Sequence, residues 1–288
     1  MDSYTFSQVD VFAATSLTGN PVAVVHDATG LDDEQMAAFA NWTNLSETTF
    51  LLPPTDEGAE AGADYRLRIF TPATELPFAG HPTLGSAHAW LENGGRPRTR
   101  GELVQECGAG LVSVRSGDEG SRLAFRAPPF LRSGPVDQAE LTTVVAALGL
   151  EPHQLLGAEW VDNGPGWLGL ELDSAQTVLS LRPDFTALPV ETGVIGPHDE
   201  KARAEHGADV EVRAFCPGLS IPEDPVTGSL NAGLAVWLTR AGRLPGSYVA
   251  RQGTALGRDG RVSVETDEHG DLWVGGASRT LIRGTLQL

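Results

Sequence analysis

Cysteine and long apolar runs are scarce in this chain. Its 288 residues include only two cysteines, Cys107 and Cys216, so no disulfide framework is expected. No apolar run reaches the ~18 residues of a membrane-spanning helix. The N-terminus has no basic region followed by an apolar one, so no signal peptide is expected. We therefore predict a cytoplasmic protein that does not enter a membrane.

Positive charge is also scarce. The sequence has 20 lysines and arginines against 38 acidic residues, a net charge of −18, and Lys201 is the single lysine. Long-range repulsion opposes binding to nucleic acids and to anionic membranes, so neither is expected as a partner. A chain this acidic needs a local positive site to hold an anionic ligand.

Two distant segments share one pattern, a loop motif that leads into an apolar run. FAGHPTLGS at 78–86 leads into the apolar AHAWL, and EDPVTGS at 223–229 leads into LNAGLAVWL. This pattern predicts a duplication, with two similar domains. Each would contain a buried helix, starting near Thr83 and near Gly228, with its N-terminus at a shared cleft. Free N–H groups and the positive end of the helix dipole favour an anion there.

Strand patterns predominate, and about two long helices per half are interleaved with them, which is typical of an α+β protein with antiparallel sheets. A capping box at Asp32 and Gln35 predicts a helix over 33–42. The segment 55–63 is predicted as a loop, and 261–276 as a hairpin. Other helices are predicted over 83–92, after Asp137, and over 228–240. The predicted domains are 1–118 with the C-terminal strand 277–288, and 119–276.

Three residues are candidates for proton transfer. Glu47 lies in the apolar stretch NLSETTFLL, where desolvation would raise its pKa towards the range useful for acid–base chemistry. His81 opens the first apolar helix and Asp224 precedes the second, so the three could act as one set. The alternatives are that Glu47 is a surface carboxylate in a loop and that the other two are helix caps.

Several other patterns are weaker indications of a functional site. Gly164, Gly166 and Gly169 satisfy GxGxxG, but no helix pattern follows, so a turn at a strand edge is expected. His81 and His88 lie seven residues apart without a third ligand at metal spacing, so no metal site is predicted and His88 is interpreted as a neutral core residue. Nothing marks Cys107 as an activated nucleophile.

Five motifs follow one another along the chain: TGNP at 18–21, NLSETTFLLP at 44–53, FAGHPTLGSA at 78–87, QECGAGLV at 105–112 and EDPVTGS at 223–229. Together they resemble the phenazine-biosynthesis isomerase family (PhzF-like proteins), in the family's order and nearly end to end. The resemblance implies the diaminopimelate epimerase fold: two similar domains, each an antiparallel barrel-like sheet around a central buried helix. The epimerases use two cysteines, one per domain. Here the helix starts carry Ala79-Gly80-His81 and Asp224-Pro225 instead.

The resemblance also implies roles. Glu47 would shuttle a proton, His81 and Asp224 would assist, and neither cofactor nor metal would take part. The expected substrate is a small anionic cyclic unsaturated carboxylate, and the nearest known reaction is isomerisation of trans-2,3-dihydro-3-hydroxyanthranilate. A homodimer is a further expectation. The residues expected to bind substrate are Asn20, Ser46, Gly80, Gly228 and Ser229.

Two other functions stay open on the sequence. One is an amino-acid epimerase, disfavoured because each face of the carbon would need its own acid or base. The other is a binding protein that kept the cleft and lost turnover. One departure from the family bears on substrate identity: Asp259-Gly260 replace the Pro-Ser of a QG…GRPS segment.

Overall fold

The structure is a computed structural model, and it describes residues 2–117, 122–218 and 221–288. Contacts within the chain divide it into a first unit and a second unit. The predicted boundary between residues 118 and 119 lies outside the described residues. The first unit is Met1–Arg126 with Gly275–Leu288, and the second unit is Ala127–Val274.

The first unit is built from strands and three α-helices. The helices are α1 (Asp33–Thr43), α2 (Asp56–Glu60) and α3 (Gly80–Glu92). The strands are β1 (Ser3–Val11), β2 (Asn20–Val25), β3 (Glu47–Leu52), β4 (Tyr65–Phe70), β5 (Glu75–Leu76), β6 (Glu102–Cys107), β7 (Gly110–Ser116) and β8 (Arg122–Arg126).

The second unit has a similar content. Its helices are α4 (Gln138–Leu148), α5 (Ala175–Ser180), α6 (Glu200–His206) and α7 (Gly228–Arg240). A long last strand begins in this unit and ends in the first. The strands are β9 (Arg132–Pro135), β10 (Leu155–Asp162), β11 (Leu168–Leu172), β12 (Thr192–Pro197), β13 (Val210–Phe215), β14 (Glu223–Asp224), β15 (Ser247–Gln252), β16 (Gly260–Thr266) and β17 (Leu272–Gln287).

In the first unit the strands close into a barrel of eight. The pairings run β1–β2–β3–β4–β6–β7–β8–β17 and return from β17 to β1. Two pairs, β2–β3 and β4–β6, are parallel. Parallel neighbours need a long crossover, and the two crossovers contain α1 and α3. The second crossover is what brings α3 against the sheet.

The second unit repeats this pairing pattern. Strand β10 pairs with β11, β11 runs parallel to β12, β12 pairs with β13, and β13 runs parallel to β15, which pairs with β16. Side-chain contacts are repeated too: Asp64 accepts from the N–H of Val104, and Asp209 accepts from that of Val249. The duplication expected from the two helix motifs therefore extends to the sheets, and the predicted fold class is confirmed.

Helices α3 and α7 are the buried centres of their units. The first ten residues of α3 are all buried, and the helix contacts β1, β2, β3, β4 and β8. Helix α7 contacts β10, β11 and β16. Glycine residues let these two helices pack closely against the strands. A Cβ on Gly85 would lie 2.4 Å from a methyl of Val22, and one on Gly233 would lie 2.4 Å from the carbonyl oxygen of Val161.

Several predicted boundaries change. Helix α3 begins at Gly80 and not near Thr83, which places His81 inside its first turn. The predicted loop 55–63 contains the short helix α2, capped by the side chain of Thr55, which accepts from the N–H of Gly58. Strand β10 was not predicted. The helix over 228–240 and the capping box of α1 are confirmed.

Candidate active site

The N-termini of α3 and α7 differ from those of the other described α-helices. Their N-cap residues, Ala79 and Thr227, make no side-chain cap hydrogen bond. The first backbone bonds run from Thr83 to Ala79 and from Asn231 to Thr227, so the N–H groups before them have no partner within the helix. In the five other helices a side chain accepts from a first-turn N–H; the caps are Asp32, Thr55, Asp137, Ser174 and Asp199.

In the first unit, four side chains converge beside the start of α3, and we call them the Glu47 cluster: Asn20, Ser46, Glu47 and His81. Nε2 of His81 lies 3.3 Å from Oε2 of Glu47. Nδ1 of His81 lies 3.2 Å from the amide nitrogen of Asn20, and Ser46 donates to the amide oxygen of Asn20 over 3.3 Å. Asn20 and His81 are buried, whereas 14% of the Glu47 side chain is exposed. Glu47 and Ser46 are the partly exposed members of the cluster, and the buried imidazole of His81 lies beside the Glu47 carboxylate.

Burial decides the charge of His81. It lowers the pKa of the imidazole to about 3, because the protonated ring would lose its hydration. At neutral pH the ring is therefore uncharged, with one nitrogen donating and the other accepting. A neutral ring can position the Glu47 carboxylate by hydrogen bonding, and it adds no positive charge to the cluster.

In the second unit, the turn before α7 is held by what we call the Asp224 cluster: Asp224, Thr227, Asn231 and Gln252. The hydroxyl of Thr227 donates to Oδ2 of Asp224 over 2.6 Å. The amide oxygen of Gln252 accepts from the N–H of Thr227 and from the side chain of Asn231, and its amide nitrogen donates to the carbonyl of Asp224. The hydroxyl of Thr227, which could have capped α7, is committed to Asp224 instead.

Gly228 and Ser229 form the first turn of α7, and both are buried. The hydroxyl of Ser229 accepts from the indole N–H of Trp167 over 3.0 Å, and its carbonyl accepts from the side chain of Asn163 over 2.9 Å. Gly80 holds the corresponding place in α3 and is likewise buried. Sequence reasoning did not assign contacts to Gln252, Trp167 or Asn163, because their partners lie at least 21 residues away in the sequence. Thr227 was not singled out, although its contact with Asp224 spans only three residues.

The departure at Asp259-Gly260 has a structural reason. Asp259 accepts from Arg251 and pairs with Arg261, both at 2.8 Å. A Cβ on Gly260 would lie 2.4 Å from a methyl of Val226, so a serine would not fit there without a shift of that side chain. The loop therefore packs tightly against the turn that carries Asp224.

The remaining sequence patterns stay outside both clusters. Gly164 and Gly166 belong to the turn between β10 and β11, where Asp162 accepts from both of their N–H groups. Burial raises the pKa of the Cys107 thiol, the opposite of what activates a nucleophile. His88 is buried, and burial lowers its pKa. Among the described residues there is no group of three side chains arranged to hold a metal ion.

A second buried carboxylate–imidazole pair lies elsewhere in the second unit. Oε2 of Glu211 is 3.2 Å from Nε2 of His198, and the Glu211 side chain is fully buried. Burial raises the pKa of Glu211 to about 7 and lowers that of His198. Unlike Glu47, this carboxylate has no exposed surface from which to meet a substrate, so we assign the pair to the core.

This pair has a measurable consequence for stability. Between the unfolded pKa near 4.5 and the folded pKa near 7, the native state binds more protons at Glu211 than the unfolded state does. The free energy of unfolding therefore falls as pH rises through this window, by about 1.4 kcal/mol per unit for one group. Glu211→Gln removes the titration. Relative to the parent, the variant should be about 2 to 3 kcal/mol more stable at pH 8 than at pH 5.

Urea denaturation at both pH values measures the effect. Glu265→Gln is the matched control, because Glu265 is an exposed carboxylate on β16 in the same unit. A Glu211→Gln variant whose stability difference from the parent is the same at pH 5 and pH 8 would contradict the assignment.

Comparisons with known proteins agree over nearly the whole chain. The family model described as "Phenazine biosynthesis-like protein" matches residues 9–285. Antisense-enhancing sequence 1 of Schizosaccharomyces pombe is 37% identical over 99% of both chains. Trans-2,3-dihydro-3-hydroxyanthranilate isomerase of Pseudomonas aeruginosa is 34% identical over 91% of this chain and 90% of its own. A crystal structure of a PhzF-family protein from Enterococcus faecalis superposes with a TM-score of 0.77 at 27% identity, covering all of both chains.

In the part of the chain that the structure describes, none of the helices is long and apolar enough to cross a lipid bilayer.

Proposed function

This chain belongs to the phenazine biosynthesis-like family and is an isomerase, and from that premise we propose that it moves a proton within a small cyclic unsaturated carboxylate without a cofactor. The nearest reaction is that of its relatives named trans-2,3-dihydro-3-hydroxyanthranilate isomerase. The observation that carries the proposal is the Glu47 cluster, in which a partly exposed carboxylate is backed by a neutral imidazole at 3.3 Å.

In the proposed reaction, Glu47 takes a proton from an activated carbon of the substrate. The electron pair of the broken C–H bond delocalises over the conjugated system. The same carboxyl group then returns the proton to a different carbon, so that no redox partner is needed. His81 holds Glu47 in place, and Asp224 is the third member of the proposed catalytic set.

We propose that the substrate's carboxylate binds at the N–H groups of Gly228 and Ser229; Gly80, at the start of α3, is a further member of the proposed substrate-binding set. The absence of a capping side chain at both helix starts supports this, because these N–H groups keep their capacity to bind an anion. The helix dipole supplies the local positive potential that a chain of net charge −18 otherwise lacks. Ser46 completes the proposed set; Asn20, the other residue expected there, is buried and contacts His81 and Ser46.

We also place the protein in the cytoplasm and propose a homodimer. An exposed apolar surface of the first unit supports the proposal of a homodimer. Trp42 is 79% exposed and stacks on Phe39, and both line a groove with Leu286. Exposed apolar surfaces of this kind mark interaction sites. Sedimentation equilibrium gives the mass in solution.

Solvent deuterium exchange tests the reaction. The protein is incubated with trans-2,3-dihydro-3-hydroxyanthranilate in D₂O, and the compound is followed by proton NMR. We expect isomerisation, with deuterium appearing at carbon as the carboxyl proton of Glu47 exchanges with solvent. Inversion at a single carbon without a shift of the double bond would indicate an epimerase. Binding without any exchange would indicate a non-catalytic homologue, and either result would overturn the proposal for this compound.

A further inference from the structure

Behind Glu47 lies a row of polar contacts that the proposed reaction does not itself explain. Ser46 donates to the amide oxygen of Asn20, the amide nitrogen of Asn20 faces Nδ1 of His81, and Nε2 of His81 faces Glu47. Asn20 is only 1% exposed, and His81 only 2%. Two such polar side chains are buried at a cost that their mutual contacts must offset.

The order of donors and acceptors in this row follows from chemistry. An amide nitrogen can only donate, so Nδ1 of His81 must accept from Asn20. A neutral imidazole that accepts at Nδ1 carries its proton on Nε2. The nearest carboxylate oxygen, Oε2 of Glu47, lies 3.3 Å from this nitrogen, outside the geometry of a formed hydrogen bond.

The reverse order is unfavourable. If the amide of Asn20 were turned over, its oxygen would accept from Nδ1–H, and the lone pair of Nε2 would face the carboxylate. Two acceptors at 3.3 Å would repel each other in a buried setting, where unpaired polar groups are costly. An ionised Glu47 is therefore compatible with only one tautomer of a neutral His81.

We propose that Asn20 is a positioning residue that fixes His81 in the Nε2–H tautomer and so keeps a hydrogen-bond donor aimed at Glu47. Asn20 thus acts through His81 and need not touch the substrate. The inference rests on the proposed role of Glu47 as the proton carrier. The 3.3 Å separation is long for a hydrogen bond to a charged group, and such contacts often tighten once the substrate is bound.

The tautomer can be observed directly, without any turnover. The protein is labelled with ¹⁵N-histidine, and the ring nitrogens of His81 are assigned by comparison with His81→Asn. We expect Nε2 to carry the proton and Nδ1 to show the shift of an acceptor nitrogen at pH 7. A proton on Nδ1, or a doubly protonated ring, in the parent protein would overturn the inference.

Two substitutions test the role of Asn20. In Asn20→Asp a carboxylate faces Nδ1, so we expect a proton on Nδ1 and a ring that becomes charged at higher pH. Asn41→Asp is the control, because Asn41 is an exposed asparagine of the same unit and lies outside the Glu47 cluster. His81 signals that are the same in Asn20→Asp as in the parent would contradict the inference. If Asn20→Asp does not fold, the ¹⁵N-histidine spectrum of the parent protein alone tests the inference.

Kinetics separate this inference from the proposed function. Asn20→Ala should lower kcat about 10- to 100-fold, the range typical of groups that orient another residue from behind, with little change in KM. Added to Glu47→Gln, it should cause little further loss, because it acts through Glu47. If Glu47→Gln kept full turnover, the proposed function would fail while the tautomer measurement stood. If Asn20→Ala instead raised KM alone, Asn20 would be a substrate contact and the inference would fail.

Discussion

Glu47→Gln is expected to lower turnover by at least about 10²- to 10⁴-fold, the usual contribution of general acid–base catalysis. Glutamine keeps the size of the side chain and most of its hydrogen bonds, but it cannot carry the proton. Contacts that hold the substrate are left in place, so affinity should change by no more than about tenfold, or 1.4 kcal/mol. Turnover and binding are measured on the same preparation, by NMR and by calorimetry.

The duplication provides a matched control. The register pairs Thr48 with Phe70 in the first unit and Thr192 with Phe215 in the second. Glu191, which precedes Thr192, is therefore the counterpart of Glu47. Glu191→Gln makes the same chemical change at the corresponding position, directly before β12, and it should leave turnover within a few-fold of the parent. Retained turnover in Glu47→Gln with intact binding would remove Glu47 as the proton carrier and make His81 the leading candidate.

The other two members of the proposed catalytic set should matter less. His81→Ala removes the group that orients Glu47, and Asp224→Asn removes a charge that Thr227 already holds by a hydrogen bond. Neither change removes the carboxylate that carries the proton. We therefore expect both losses in kcat to be smaller than that of Glu47→Gln. A larger loss in either variant would mean that the proton passes through that residue.

Local signals in the sequence were enough for the long elements. The capping box of Asp32 and Gln35 and the apolar run 228–240 each specify a helix by short-range chemistry, and both helices are present. Strand β10 was missed because its register shifts between Leu155 and Gly157, which breaks the alternation that reveals a strand. The four parallel pairings among the described residues could not be predicted, because alternation carries no information on strand direction.

For the candidate site, too, the sequence predicted some features and not others. Glu47 and His81 were each indicated by their surroundings, an apolar stretch and a helix start. The contact of His81 with Asn20, 61 residues away in the sequence, depends on how β2 and α3 pack within the first unit. Gln252 likewise reaches the start of α7 from another strand. Short motifs therefore identify the groups, whereas their hydrogen-bonding order comes from tertiary packing.

Arg213→Met should destabilise the second unit by about 3 to 5 kcal/mol, because it leaves the buried carboxylate of Glu223 without its partner. Both side chains are less than a tenth exposed. Arg213 donates to both oxygens of Glu223 at 2.9 and 2.8 Å and to the carbonyls of Val178 and Leu181 at the end of α5. Urea denaturation, followed by a signal of the second unit, measures the loss.

The control again comes from the duplication. Arg68 in β4 donates to both oxygens of Glu75, as Arg213 in β13 does to Glu223, but Glu75 is 41% exposed. Water can solvate Glu75 when Arg68 is removed, and pairs of this exposure contribute about 0 to 1 kcal/mol. Arg68→Met should therefore cost much less than Arg213→Met. Equal losses of stability in the two variants would mean that burial of the carboxylate does not determine the cost of removing its arginine.

A double substitution separates the pair itself from the charge that is left behind. Arg213→Met with Glu223→Leu removes both buried charges, and replacing a buried pair by apolar groups is often close to neutral. We expect the double variant to recover most of the stability lost in Arg213→Met. Glu223 also precedes Asp224 in β14, where both pair with β13. Recovered stability together with lowered kcat would then show that this ion pair serves mainly to hold Asp224 in place, whereas recovery of both would limit its role to folding.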